Sequence, residues 1–481
     1  MKQLIVLAAA LLSGCASVSP ERGMAPVSGL AGERIGKDVH LLQGDSDNAA
    51  LAALIDRRLQ HPLQADDAVQ IALLNHRGLQ AAYWSVGIAE AELVQAGRLH
   101  NPGFHFERTV GGGEVGIERS LTLNLASVLM APLARRIEQR RYEQTWLQVA
   151  DQMLRHAAST RRAYYEAVAA AQTGIYAGQV RTAAEAAAEL TARMAQVGNV
   201  SQLDLAREQL FRAESAAGAW RAAQRAVAAR EALTRLMGLS GAAAATYRLP
   251  ERLPDLPPSP MQLGEVETIA VRERLDIRAA TIEARRTAES LGLSRSTRFI
   301  NVLDLGYLRN SDGARSASGY AISLELPLFD WGTARVARAE AIYMQAAARV
   351  AQTAVDAGSE ARERYRDYRG AYDIARRYRD EVIPLRKKIA DENQLRYNGM
   401  LISVFELLAD AREQAKAVAD TIDAQKAFWI AQTDLEAALG GRLPANNAAK
   451  NAASNAAKNA AKNAANNAAN NAANTGKEIT P

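Results

Sequence analysis

A chain of 481 residues, 48% hydrophobic and 23% charged, is long enough to build several cores, and its single cysteine excludes an intramolecular disulfide and any cysteine-clustered metal site. The net charge of +5 does not mark a nucleic-acid binder. Without Lys2 and the tail residues Lys450, Lys458, Lys462, Lys477 and Glu478 the body is near +1, and it has no basic patch interleaved with aromatics.

Residues 1–14 read as a lipoprotein signal peptide. Lys2 gives a positive start, and Leu4 to Leu12 form an apolar stretch that is too short to cross a ~30 Å hydrocarbon core. The stretch ends in Leu12-Ser13-Gly14-Cys15, which looks like a lipobox and predicts acylation (palmitate) at Cys15. Residues 15–65 then form a lipidated N-terminal segment, anchored to the membrane rather than spanning it.

The body repeats itself. Residues 66–248 and 262–440 each predict a helix, two short alternating strands and a very long alanine-rich helix that doubles back, with an extended proline-rich linker at 249–261. In the first copy a hairpin is expected over 103–126, with Phe104–Val110 meeting Glu114–Leu125 across Gly111-Gly112-Gly113. A strand follows these glycines, so they are not a phosphate loop. In the second copy strands are expected at 299–309 and 319–329.

Val115, Ile117, Leu121, Leu123 and Leu125 alternate with Glu118, Ser120, Thr122 and Asn124, as in a membrane β-barrel strand. Tyr320, Ile322, Leu324, Leu326 and Leu328 repeat the pattern against Ser323 and Glu325. Arg119 breaks the apolar face and must lie near a headgroup layer. Phe299, Tyr307, Phe329 and Trp331 fall where an aromatic girdle would sit. Four strands cannot close a barrel, and lipid does not tolerate an open edge, so a membrane sheet of this kind must be shared by two, three or four chains.

The long helices are expected from about Pro132 to Met237 and from about Thr333 to Leu439. Their length calls for coiled-coil packing, which small residues such as Ala163, Ala167, Ala170 and Ala171 permit. Pro384 predicts a bend. The reversals are marked by Gly198-Asn199 and Asn398-Gly399, residues that accept a left-handed backbone, with Ser201 and Ser403 placed to cap the returning helices. Residues 441–481 are a low-complexity Asn/Ala/Lys tail without large apolar side chains.

No catalytic constellation emerges, and no cofactor is implied. The six histidines (His40, His61, His76, His100, His105 and His156) lack HExxH spacing, and the nine methionines do not cluster.

Over about residues 50 to 440 the chain resembles the outer membrane efflux protein family, the TolC-type outer-membrane factors of tripartite efflux systems. The most specific residues are the run from Leu395 to Arg412 (LRYNGMLISVFELLADAR) and Leu326-Pro327-Leu328-Phe329-Asp330-Trp331-Gly332. Helix openers at Ala68 and Glu267 and the His100-Asn101-Pro102 run into the first strand add to it. The chain departs from the family in reading LLADAR where LLDAQR is more common, and in lacking a counterpart of Pro102 in the second copy.

The resemblance implies a mainly α fold with membrane β: a long antiparallel coiled-coil α-barrel, plus four β-strands per chain in a shared 12-stranded barrel of a homotrimer. It implies a lipid-anchored protein of the Gram-negative outer membrane whose tunnel reaches into the periplasm. Its partners would be a periplasmic adaptor (membrane fusion protein) and an inner-membrane pump, RND type, for which the channel passively conducts small solutes such as drugs or metal ions. A type I secretion conduit for proteins and a pore-free periplasmic coiled-coil lipoprotein are the rival readings. Within the trimer, Glu406 and Asp410, one helical turn apart, are expected to ring the periplasmic aperture. Arg412 would tether the closed state to a neighbouring helix, and Asp204 and Glu208 are the corresponding candidates in the first copy. The adaptor is expected to dock on the turns Gly198, Asn199, Val200 and Ser201, and Gly399, Met400, Leu401, Ile402 and Ser403.

Overall fold

The computed structural model describes residues 17–111, 114–298, 302–312, 315–325 and 328–441. The signal peptide, Cys15, Phe299, Leu326, Pro327 and the Asn/Ala/Lys tail lie outside these residues. Helices α1 (Ala25–Ile35) and α2 (Asp45–Leu59) come first. The first repeat runs α3 (Ala65–Asn75), α4 (Arg77–Ala96), β1 (Gly103–Gly111), β2 (Glu114–Asn124), α5 (Leu125–Gln196) and α6 (Gln202–Met237). A short α7 (Gly241–Thr246) and an irregular linker lead to the second: α8 (Val266–Glu273), α9 (Leu275–Ser296), β3 (Leu303–Asp312), β4 (Arg315–Leu324), α10 (Thr333–Arg377), α11 (Ile383–Asn398) and α12 (Val404–Ala438).

Each copy opens on two helices rather than the one that the sequence pattern suggests. A single extended residue separates them: His76 (φ −69°, ψ 113°) in the first copy and Arg274 (φ −66°, ψ 132°) in the second. The copy's own last helix ends against this joint on a left-handed glycine, Gly238 (φ +66°) or Gly440 (φ +82°). A Cβ on Gly238 would lie 2.9 Å from the Asn75 carbonyl oxygen, and one on Gly440 3.0 Å from that of Glu273, so both conformation and space require glycine. Asn75 Nδ2 closes the first joint by donating to the Met237 (3.0 Å) and Gly238 (2.7 Å) carbonyls.

Helix α5 has 72 residues, about 108 Å at 1.5 Å per residue. It begins at Leu125, earlier than the expected Pro132, because Asn124 caps it by accepting the Ser127 N–H at 2.6 Å. Pro132 lies inside the helix, as its eighth residue, and leaves the Val128 carbonyl without the N–H that another residue would donate. Helices α10 and α11 form one rod through a π turn at Tyr378–Val382, in which the Ile383 N–H bonds to Tyr378 O. Pro384, which follows, has no N–H to offer the Asp380 carbonyl, and the wider turn absorbs that loss. Among the described residues no helix is long and apolar enough to cross a membrane.

The four strands make one antiparallel sheet in the order β1-β2-β3-β4. The two copies join through β2 and β3, from Gly116↔Asp312 to Asn124↔Asp304, with Asn124 Nδ2 donating to Asp304 Oδ1 at 2.9 Å. The second hairpin is longer toward its tip than expected, with strands at 303–312 and 315–324 instead of 299–309 and 319–329. Its polar Asn310–Ser318 stretch reads as a loop, but backbone pairing extends the ladder to Asp312↔Arg315. Leu125, expected on the apolar face of β2, starts helix α5 instead, and Leu328 and Phe329 lie beyond the end of β4.

Contacts between the copies consolidate the middle of the molecule. Arg161 on α5 bridges Asp66 on α3 (2.9 Å) and Glu436 on α12 (3.0 Å). The linker is pinned by Trp429 Nε1 donating to Pro254 O (3.0 Å) and by the Tyr372 hydroxyl donating to Pro258 O (3.0 Å).

The first joint carries a pair of histidines in ring contact, His76 and His156, with centroids 4.3 Å apart and the planes tilted by 38°. His76 Nδ1 accepts the Leu79 N–H and so caps α4, while His156 Nε2 donates to Leu236 O at 2.9 Å. Burial lowers both pKa values, and the neighbouring ring lowers that of His156 further. A depressed histidine contributes stability that is full above the unfolded value of about 6.5 and is lost as pH falls through the folded value. Thermal stability is therefore expected to fall with acidification below about pH 6.5. His76→Asn, which keeps a capping side chain, is expected to flatten that slope in a melting series from pH 7.5 to 5. An unchanged slope would remove the pair from the account.

Candidate functional site

The candidate site is the end of the molecule where both helical hairpins turn. In the first turn Gly198 (φ +80°) is left-handed, with Gly198 N bonded to Ala195 O (3.1 Å) and Asn199 N to Met194 O (3.0 Å). In the second turn the same bonds run from Met400 N to Tyr397 O (2.9 Å) and from Leu401 N to Arg396 O (2.8 Å). Both patterns are Schellman closures. The left-handed residue of the second turn is therefore Met400 (φ +58°), not the Asn398-Gly399 pair expected from its composition; Gly399 has φ −81°.

Superposing the closures pairs Gly198 with Met400, Ser201 with Ser403, Asp204 with Glu406, and Glu208 with Asp410. Ser201 and Ser403 both cap the returning helix, with Oγ accepting the N–H three residues on. The second cap is reciprocal, since Glu406 Oε2 accepts the Ser403 N–H at 3.2 Å. Asp204 is likewise engaged, by the Ser201 hydroxyl (2.7 Å) and Arg207 (3.3 Å). Asp410 is half-buried and has no ion-pair or hydrogen-bond partner among the described residues.

Glu208 behaves differently from its counterpart. It is 3% exposed and pairs with Arg412, which links α6 to α12 within one chain. The Arg412 guanidinium also lies over the Phe211 ring, 4.2 Å from its centroid. Glu208 Oε2 and Arg412 Nε are buried without a partner. Glu208 is thus no open carboxylate in this chain, contrary to its expected place in an acidic ring. Beside the pair, Tyr176, Val180, Ala184, Phe211, Leu408 and Ala415 line a cleft of about 240 Å³. Sequence reasoning expected Arg412 to reach a neighbouring helix but missed this cleft and Glu208 as the partner. The repeat offset of 202 residues carries the signal, because it puts Leu210 opposite Arg412 and so marks Arg412 as a cation present in one copy only.

The turns themselves are solvated. Val197, Leu203, Met400 and Leu401 are 70%, 59%, 92% and 76% exposed, an unusual run of uncovered apolar side chains at a loop tip. Val200 and Ile402 are partly covered, and Asn199, Ser201, Gly399 and Ser403 are exposed. His105 lies 3.5 Å from Glu107, and the described residues hold no cluster of three or more metal-ligating side chains.

No family model and no curated protein sequence matches the chain. Solved structures do. The CmeC outer membrane channel of Campylobacter jejuni aligns at TM-score 0.66 with 17% identity, over 84% of this chain and 90% of its own. VceC, an outer membrane protein of Vibrio cholerae, aligns at TM-score 0.64 with 17% identity, over 82% and 96%. The open-state MtrE outer membrane channel of Neisseria gonorrhoeae aligns at 0.56 with 18% identity, over 81% and 89%. Long paired helices, a small antiparallel sheet and their twofold repetition thus give this chain the fold of the TolC-type outer-membrane channels.

Proposed function

We propose that the protein is the outer-membrane channel of a tripartite export system, conducting solutes passively through a pore that several copies build together. The open sheet carries this reading. Among the described residues strands β1 and β4 each have only one neighbour, and one face of the sheet displays Phe104, Leu121, Tyr320 and Ile322 at 70%, 50%, 83% and 73% exposure. Such a face suits lipid, and lipid demands that its edges be closed by other copies. Three copies, the number the family resemblance implies, give twelve strands. The helical hairpins would then form a tunnel into the periplasm. Their exposed apolar turns would meet the adaptor, and an RND-type pump would supply energy. Asp410 and Glu406 would ring the aperture, with Arg412 holding the tip together through Glu208. Acylation at Cys15 would anchor the N-terminal segment, a reading supported by its Leu-Ser-Gly-Cys setting.

The test is gel mobility with and without heating, followed by planar-bilayer recording on the purified protein. A heat-sensitive oligomer band and discrete conductance steps are expected. A protein that becomes soluble once its acyl chain is removed, and that conducts nothing, would refute the channel.

A further inference from the structure

We propose that the outward face of the sheet holds a binding site for the phosphorylated headgroup of an outer-leaflet glycolipid, built by Arg108, Arg119 and Arg309. The proposal rests on the barrel reading above. Arg119 on β2 lies directly opposite Arg309 on β3, and Arg108 on β1 pairs with Ile117, which places it diagonal to Arg119. Directly opposed side chains on one sheet face are about 5 Å apart at Cβ and diagonal ones about 7–8 Å, so the three guanidinium groups can converge on one ligand. Ser318 on β4 extends the row beside Arg309.

Three like charges at this spacing repel one another. Among the described residues none of the three has an ion-pair or hydrogen-bond partner, and all three are exposed. The nearest strand carboxylates, Glu107 and Glu118, fall on the opposite face by alternation. A cationic row lacking counter-ions among the described residues, on a face whose other side chains are uncharged, is balanced by an anion supplied from outside. The planar guanidinium fork matches phosphate oxygens in bidentate fashion.

The position along the strands selects the lipid. Immediately on the helix side of the arginines lies the row Phe104, Leu121, Tyr307 and Tyr320, with the two tyrosine rings in edge contact at 5.8 Å. Aromatic girdles mark the boundary between hydrocarbon and headgroups. The arginines are the next charged row toward the hairpin tips, on the side away from the helices, which is the outer-leaflet headgroup level.

The full-length protein in nanodiscs is titrated with labelled bis-phosphorylated lipid A, with the same lipid dephosphorylated, and with inorganic phosphate as competitor. Retention of phosphorylated lipid A is expected to fall about tenfold or more in the R108Q/R119Q/R309Q variant, given the strength of charge-assisted bonds. R119K/R309K, which keeps charge but loses the fork, should be intermediate, and E107Q/E118Q on the opposite face should match the parent. Equal retention by parent and triple variant, equal retention of dephosphorylated lipid, or displacement by millimolar inorganic phosphate would overturn the site. Heat-modifiable mobility of each variant separates the two readings. Loss of the oligomer band in the parent removes the barrel itself, whereas an intact band with unchanged lipid retention removes only the lipid site.

Discussion

Replacing Arg412 with alanine is expected to destabilise the helical tip by about 3–5 kcal/mol, the usual cost of leaving one partner of a buried ion pair uncompensated. Glu208 is 3% exposed, and Arg412 is its single ion-pair partner among the described residues, so its carboxylate would be left in an apolar cleft with no paired cation and almost no water. The lost stacking over Phe211 adds to the effect. Hydrogen exchange, read separately in the first turns of α6 and α12, is the suitable measurement because it reports local opening without unfolding the assembly. Protection should drop there and remain unchanged in β1 to β4. The double variant R412M/E208L should recover most of the loss, since apolar replacement of a buried pair is often neutral. If the tip is the gate, R412A also raises single-channel conductance while the double variant does not. Unchanged exchange in R412A would show that the pair holds nothing together.

The repeat, the four strands and the two turns were legible because each rests on local chemistry. Ser201 and Ser403 cap as their spacing suggests, and the alternation from Val115 to Asn124 places apolar and polar side chains on separate faces. What stayed hidden depends on distant segments or on strain. The breaks at His76 and Arg274 interrupt patterns that look continuous, and they exist because Gly238 and Gly440 arrive there from the far end of each copy. Met400 adopts a left-handed backbone that its side chain disfavours, so composition pointed to the glycine beside it. The pairing of Glu208 with Arg412 crosses from one copy to the other and leaves no trace at the local level.

The same asymmetry ranks the aperture carboxylates. Glu406 and Asp410 look equivalent as neighbours one helical turn apart, yet Glu406 is held back on Ser403 by its capping box, whereas Asp410 has no partner among the described residues. A free carboxylate projects its full charge into a constriction, while one engaged with a backbone N–H is partly offset. Asp410→Asn is therefore expected to weaken block by a divalent cation about tenfold, since each carboxylate near 4 Å contributes about 1 kcal/mol per unit charge in water and an oligomer removes several together. Glu406→Gln keeps a capping side chain and should change block less. Glu406→Ala should leave block close to that of Glu406→Gln but loosen the start of α12 by about 1 kcal/mol, again visible in hydrogen exchange. Single-channel recordings across a divalent titration decide the order. If Glu406→Gln relieves block more than Asp410→Asn, the capped carboxylate faces the ions and the ranking is reversed; if neither changes it, the constriction lies elsewhere along the tunnel.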